Sequence, residues 1–480
     1  GCAGRRRIRR GKEGYQSGIP WICKSADPAD EGEVSLLRAS MKKDLSEGAI
    51  TKTILLFAGP MILGNLLQQC YNIADTLIVG RFLGAHALAA VGSAYTLMTF
   101  LNSIIIGLCM GSGVVFSVYF GKKEEEGLRG SIGTSFGMIA LVTLAINGLV
   151  FLFLDPILRV LQVPADVYDL MREYVFVIFF GIVFIFLYNY FAFLLRALGN
   201  SVVPLWFLCI SAGLNIVLDL LCVIVFQMDV SGAAFATVVS QIVSGVGIAL
   251  YTLKKVPEAH SIFKVSRDGS LFREVLHNSF AACIQQSVMN FGILMIQGLV
   301  NSFGMAVMAA FAAAVKIDTF AYMPAQEFGN AFSLFVSQNH GAGRKDRVLE
   351  GMKKAAGLSA GFCIVISGLI FAFAPLLMRI FVDSTETQIV QIGAQYLRIE
   401  GAFYCGIGIL FLFYGFFRGV EKSVMSLVLT VISLGTRVVL AYVLSPVPQI
   451  GVLGIWWAIP IGWILADSVG LWRLLKWKRG

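Results

Sequence analysis

Residues 53–80 read TILLFAGPMILGNLLQQCYNIADTLIVG. At ~1.5 Å rise per residue such a run crosses the ~30 Å hydrocarbon core of a bilayer. Its single charged side chain is Asp75. On a helix Gly64, Gln68, Tyr71, Asn72 and Asp75 fall on one stripe, spaced by three, four or seven residues. A polar stripe on an apolar span faces a partner or water, because lipid offers those groups nothing to bond.

Comparable apolar runs follow at 88–118, 131–154, 168–195, 202–226, 231–253, 277–302, 307–337, 353–377, 394–416, 424–445 and 452–475. In lipid only helices and closed barrels satisfy their backbone groups, and these runs lack the strict alternation of barrel strands. The chain therefore reads as an all-α polytopic membrane protein of twelve transmembrane helices. Hydrophobic residues make up 57% of it and charged ones 14%, against the roughly 25% charged of soluble domains. An ordinary soluble enzyme is excluded.

From Met41 onward, segments on one side of these spans hold 23 Lys or Arg, and those on the other hold five, namely Arg81, Arg159, Arg172, Arg379 and Arg398. The positive-inside rule puts the richer side, with both termini, in the cytoplasm. A multi-pass protein of the cell membrane follows. The net charge of +9 then describes topology and implies no nucleic acid.

The chain repeats itself. A shift of 220 lays GAHALAAV (84–91) on GMAVMAAF (304–311) and Gly121 on Gly341; a shift of 222 lays LLRALGNSVVPL (194–205) on FFRGVEKSVMSL (416–427). Two six-span lobes result, at 41–253 and 277–480, joined by a cytoplasmic linker at 254–276. Six spans per half make the repeat parallel, and transporter paths commonly lie between such halves. Residues 1–40, polar and without a signal-peptide core, read as a disordered or non-native extension ahead of Met41.

The nine cysteines include no C-x-x-C pair, and His86, His260, His277 and His340 form no ligand motif. No zinc, haem or other cofactor is expected. What remains is charge inside the spans, which costs ~2.5–3.5 kcal/mol even on permissive scales and marks a path or a paired site. The first half has Asp75 and Asp219. Around Asp219 the fifth span carries Ser211 and Asn215 on the same face, and the sixth carries Thr237, Gln241 and Ser244. Two carboxylates with neutral oxygens suit a small hard cation or a shared proton. Under the repeat Asp75, Asn215, Asp219 and Thr237 fall on Met295, Arg437, Ala441 and Ile459, which confines that network to the first half.

The second half carries Lys316, Asp318 and Glu327 on one span, with Glu400 and Arg437 on two others. Glu327 or Glu400 either meets a cationic substrate or pairs internally with Arg437 or Lys316. Gln68, Gln326, Glu327, Glu400 and Tyr322 are candidate substrate contacts. Tyr188, Phe191, Met289, Phe291, Met295 and Tyr322 are either a pliable surface for drugs or plain packing. Pro60, lacking an N–H, is a candidate hinge in the first helix.

YNIADTLIVGRFLGAHALAAVG (71–92), the loop SQNHGAGRKDR (337–347), the LRALGN turn (195–200), and NIVLDLL (215–221) followed by SGAAFATVVSQ (231–241) resemble the MATE family, the multidrug and toxic compound extrusion transporters. The resemblance runs from about Ile50 to Trp477. It implies a V-shaped pair of six-helix bundles that exchange Na⁺ or H⁺ for amphipathic, often cationic organic compounds by alternating access. It also implies an N-lobe cation site at Asp75, Asn215, Asp219 and Thr237, with Asn189 and Tyr71 in the same polar cluster. Some branches add an acidic pair on spans seven and ten. Here span seven has Gln285 and Gln286 and the expected acid of span ten is replaced by GIGILF (406–411), which counts against that second sodium site. A monomer is expected, with the coupling cation, small organic molecules and the lipid bilayer as its partners. The rival readings are a lipid-linked oligosaccharide flippase of the same superfamily and, from another class, an intramembrane enzyme. The first calls for a more cationic cavity or extra spans, and the second for a nucleophile with its base.

Overall fold

Past its first turn, the leucines of residues 125–152 point outward and its hydroxyls point inward. Leu141 is 70% and Leu152 73% exposed, while Ser131, Thr134, Ser135 and Thr143 are buried. This inverts the pattern of a soluble protein and is what lipid as a solvent selects, since apolar side chains gain nothing by leaving it. The computed structural model describes residues 44–161, 163–264, 266, 268–383 and 385–479, with the side chains of 85, 160, 293 and 294 left out. The expectation for residues 1–40 lies outside the described residues.

Among the described residues there are fifteen α-helices and no strand. In the first half they are α1 (Ile50–Phe82), α2 (Ala85–Lys122), α3 (Glu125–Leu152), α4 (Leu154–Val160), α5 (Ala165–Ile178), α6 (Ile182–Ala197), α7 (Val202–Leu220) and α8 (Val230–Lys255). The second half has α9 (Gly269–Asn301), α10 (Met305–Gly341), α11 (Lys345–Met378), α12 (Thr387–Gly401), α13 (Tyr404–Gly419), α14 (Ser423–Leu444) and α15 (Val452–Arg479). Eleven continuous segments are long and apolar enough to cross a membrane, and α12 with α13, bent by 53°, completes a twelfth.

The backbone carries the repeat more plainly than the sequence does. Gly84 and Gly304 have φ of +87° and +94°, Lys123 and Gly343 +59° and +71°, and Gly199 and Glu421 +87° and +59°. These pairs are 220, 220 and 222 residues apart. Left-handed conformations are costly for residues with a Cβ, so their recurrence at matched positions reflects one duplicated chain path. The breaks recur as well. The 3-10 turn Phe179–Gly181 that separates α5 from α6 falls, by the same shift, on the bend between α12 and α13.

The first helix of each repeat reaches across to the other half. Ile50, Ile54, Phe57, Ala58 and Met61 of α1 share a core with Phe311, Phe332 and Trp456, whereas Ile78 and Val79 belong to the core of the first half. Helix α9 does the reverse, placing Ala282 and Cys283 in the first-half core while also packing on α14. Small residues permit the crossing of α9 on α2. A Cβ added at Gly107 would lie 2.5 Å from Cys283 Cα, and one at Gly111 2.5 Å from Ser279 Cα; the Ser112 and Ser279 hydroxyls hydrogen-bond there at 2.9 Å. This is small-residue helix packing of the kind that membranes favour.

The segment expected as a linker is folded. Pro257–Phe263 forms a 3-10 helix with Ala259 and Ile262 in the first-half core, and α9 starts at Gly269, eight residues before the span predicted from hydropathy. The described residues form one compact unit. At its basic end the stretch before α1 is clasped by α10 and α11. Leu45 N donates to Gln338 Oε1 at 2.8 Å, and Arg347 Nη1 and Nη2 donate to the Gly48 and Glu47 carbonyls, each at 2.8 Å.

Candidate functional site

Helix α7 packs against both α1 and α8, and the polar residues of all three converge where they meet. Asp219 sits at the end of α7, fully buried, just before a π-helical turn at Leu221–Val225. Such wide turns recur at functional sites. Asp75 faces it from α1, half-buried, and the two carboxyls are neighbours. One turn before Asp219, Asn215 donates from Nδ2 to Thr237 Oγ1 at 3.2 Å, and Thr237 Oγ1 donates to the Ala233 carbonyl at 3.1 Å.

Each donor here is used and the acceptors are left over. Asp75 Oδ1, Asn215 Oδ1 and both oxygens of Asp219 are buried without a hydrogen-bond donor. Leaving a buried acceptor unmet costs about 1–3 kcal/mol, more for a charged one. Four acceptors in one place define a cradle for a cation or a proton. Among the described residues no group of three or more His, Cys, Asp or Glu could hold a metal ion.

Of the other expected members, Tyr71 stands one turn from Asp75, near Tyr95, Tyr188 and the exposed Gln68. Asn189 spends its amide on the Ile185 carbonyl at 2.9 Å and makes no bond to either carboxyl. Tyr174, close to both aspartates, went unnoticed in the sequence because a buried tyrosine reads there as packing. Helix α1 runs unbroken through Pro60.

The second half holds a different constellation. Asp318 on α10 and Glu400 at the end of α12 are 6% and 1% exposed. They face one another, with Arg437 of α14 close to both. Tyr404 Oη, just past the bend, donates to Asp318 Oδ1 at 2.6 Å. Asp318, Glu400 and Arg437 line a cavity of about 300 Å³, together with Tyr322. Arg437 forms no ion pair with Glu400, and Lys316 is exposed on the far face of α10.

Glu327 is elsewhere, and neither cation named for it in the sequence reaches it. Its Oε1 accepts from Asn65 Nδ2 of α1 at 3.0 Å and from Asn330 Nδ2 at 3.1 Å, and Arg418 Nη2 donates to Asn330 Oδ1 at 2.9 Å. The internal pairing with Arg437 or Lys316 is thus replaced by a network with Arg418, a buried residue of α13. Arg418 sits in the last helical turn of α13, where in the sequence an arginine looks like one more inner-loop charge. Gln326, next to Glu327, is half-buried.

The family model named MatE matches residues 60–221 and 279–443, which covers most of each repeat, with Asp75, Asn215 and Asp219 in the first range and Asp318, Glu400 and Arg437 in the second. The chain belongs to the MatE family. The probable multidrug resistance protein YpnP of Bacillus subtilis (strain 168) is 30% identical over 81% of this chain and 87% of its own length. The probable multidrug resistance protein NorM of Thermotoga maritima is 27% identical over 90% of this chain and 94% of its own. Among solved structures, an outward-facing conformation of a multidrug resistance MATE family transporter of the MOP superfamily superposes with a TM-score of 0.85 at 24% identity, covering 90% of this chain and 97% of that one. The protein is a membrane-embedded transporter of the MATE multidrug efflux family and not an enzyme. Its fold, two repeats of six membrane helices, is that of its structural neighbours.

Proposed function

We propose that this MATE transporter exchanges Na⁺ or H⁺ for amphipathic, often cationic organic compounds, and that Asp75, Asn215, Asp219 and Thr237 hold the coupling cation. The observation that carries this reading is the set of four buried oxygens with no donor, contributed by three of those residues. Two adjacent buried carboxylates repel each other and lack solvent, so a cation or proton between them relieves both costs. Tyr71 and Tyr174 wall the site. Asn189, whose Nδ2 is held by the Ile185 carbonyl, keeps its Oδ1 as a further oxygen for the cluster.

Coupling needs the cation and the cargo to prefer different conformations, because a ligand with equal affinity for both shifts nothing. Helix α1 is suited to connect the two. Its first half packs in the core of the second repeat, its later half carries Asp75, and Pro60 lies in the stretch that crosses over. Filling the acidic cradle changes the charge that α7 presents to α1, and bending at Pro60 lets the later half of α1 respond while the first half stays anchored. The excess of Lys and Arg supports a cytoplasmic position for the end where α2 and α10 pack at Gly121 and Gly341, so the close contact there corresponds to a path closed toward the cytoplasm.

The test is dye efflux from proteoliposomes with Na⁺ and proton gradients imposed one at a time. Efflux driven by either gradient supports the exchange, and the effective gradient names the ion. Efflux that proceeds equally without any cation gradient contradicts it.

A further inference from the structure

At the basic end of the second repeat the starts of α11 and α14 and the ends of α13 and α15 surround a cavity of about 650 Å³. Lys345, Lys422, Arg473 and Lys476 line it, with the buried Phe417 and the half-buried Trp477 among its walls. No carboxylate lines it, and among the described residues none of these four cations forms an ion pair. Glu421, next to Lys422 in the chain, meets His340 instead at 3.7 Å. Aromatic rings orient two of the charges without neutralising them. Lys345 Nζ stands over the Trp477 ring at 5.1 Å, and the Arg473 guanidinium over Trp472 at 4.8 Å. Lys345 opens α11 and Lys422 precedes α14, where the helix end is itself positive, so the backbone supplies no counter-charge. Four like charges around one cavity repel one another unless an anion sits among them.

The repeat shows that topology alone does not require this cluster. The shifts of 220 and 222 lay Lys345 on Glu125, Lys422 on Asn200 and Arg473 on Tyr251, and of the four only Lys476 keeps a cation, Lys254. The positive-inside rule asks for charge on this side of the membrane, not for its convergence on one cavity. Beside the cavity lies apolar surface. On α15 Arg473, Lys476 and Trp477 share one face, whereas Leu471, Trp472 and Leu475 are exposed on another.

We propose that this cavity binds the headgroup of an anionic phospholipid, whose phosphodiester oxygens are held by Lys345, Lys422, Arg473 and Lys476. Basic pockets between membrane helices on the cytoplasmic side take such headgroups, and the excess of Lys and Arg supports that side for this end. Arg473 brings a planar fork for two oxygens, and the lysines bring compact charges that follow a mobile headgroup. The exposed leucines of α15 give the acyl chains a surface to lie along. Free phosphate shares the charge chemistry but leaves that surface uncovered. Four cations without an acid match two phosphodiesters better than one, so a diphosphatidylglycerol should bind more tightly than phosphatidylglycerol. None of these residues belongs to the cradle of Asp75 and Asp219, and binding does not rest on the coupled-transport reading.

The experiment titrates the purified full-length protein in detergent with tetraoleoyl diphosphatidylglycerol, dioleoyl phosphatidylglycerol or dioleoyl phosphatidylcholine, and counts bound lipids by native mass spectrometry. One diphosphatidylglycerol per chain should be held at least tenfold more tightly than phosphatidylcholine. The double variants Lys345→Gln with Lys422→Gln and Arg473→Gln with Lys476→Gln should each weaken that binding at least tenfold; all four positions are exposed, so folding survives. Lys254→Gln with Lys255→Gln removes the same charge from the matching end of the first repeat and should bind the lipid as the parent does. Excess inorganic phosphate should not displace it. Equal affinity of the parent for the anionic and zwitterionic lipids, or unchanged affinity in both cavity variants, would overturn the proposal. So would an equal loss in the Lys254 and Lys255 variant, which would reduce the effect to net charge, or displacement by phosphate, which would give the cavity to a soluble anion. Because no gradient or dye is involved, failure of the coupled-transport reading leaves this result untouched.

Discussion

Gly121 and Gly341 lie against each other's helices in a reciprocal way: a Cβ at Gly121 would strike the Gln338 carbonyl oxygen, and one at Gly341 the Val118 carbonyl oxygen. Each glycine touches the residue three positions before its repeat partner. Helices α2 and α10 therefore cross at the local pseudo-twofold axis with backbone against backbone. Gln338 adds a second tie by donating from Nε2 to the Ala197 carbonyl at 2.7 Å.

Adding a side chain at that crossing should hold the two halves apart. Gly121→Val and Gly341→Val are each expected to disfavour the closed arrangement by about 1–3 kcal/mol, the usual cost of overpacking. That is roughly a ten- to hundred-fold shift in population. Spin labels at positions 123 and 345 on a cysteine-free background should report a longer distance in both variants, and efflux should fall accordingly. An unchanged distance would mean that the crossing adapts without separating.

Glu327→Gln keeps an oxygen for Asn65 and Asn330 and removes the charge near Arg418. It should lower the melting temperature in detergent, and Glu327→Ala should lower it further by leaving both amides unmet at about 1 kcal/mol each. Transport of cationic and neutral dyes should fall in the same proportion, as a structural network requires. Selective loss of the cationic dye would instead make Glu327 a substrate contact.

Arg347→Ala removes donors to the carbonyls of Leu45, Glu47 and Gly48. Amide exchange of residues 45–49 should then speed up by about tenfold or more, since a hydrogen bond from a charged donor is worth ~1.5–3 kcal/mol. Exchange in α7 should stay as it was. Protection lost across α7 as well would show that the clasp stabilises the whole first repeat.

The helices and the duplication were legible in the sequence because length, hydropathy and inner-loop charge each act locally along the chain. Asp75, Asn215, Asp219 and Thr237 were legible for a related reason: polar residues on one face of an apolar span have few other uses. The partners of Glu327 and Glu400 were not. Which carboxyl meets which cation depends on how four helices rotate about their axes, and Arg418 hid among the charges of a basic turn. The break after Glu400 gave no signal either, since no proline stands there; Gly401 is the only local hint, and its packing against Ile370, 3.0 Å from where a Cβ would sit, becomes visible only in three dimensions. Asn189 was expected beside the carboxyls, and its backbone hydrogen bond shows how a polar side chain in lipid can satisfy itself within its own helix.

The measurement closest to the central claim compares dye binding with gradient-driven efflux for purified Asp75→Asn and Asp219→Asn in liposomes. Asn keeps the volume and removes the ionisable group, so both variants should fold and bind dye. If the four unpartnered oxygens form the coupling site, neither variant should move dye in response to a Na⁺ or proton gradient that drives the parent. Parent-level coupled efflux from both variants would contradict the account and shift the coupling site to Asp318 and Glu400.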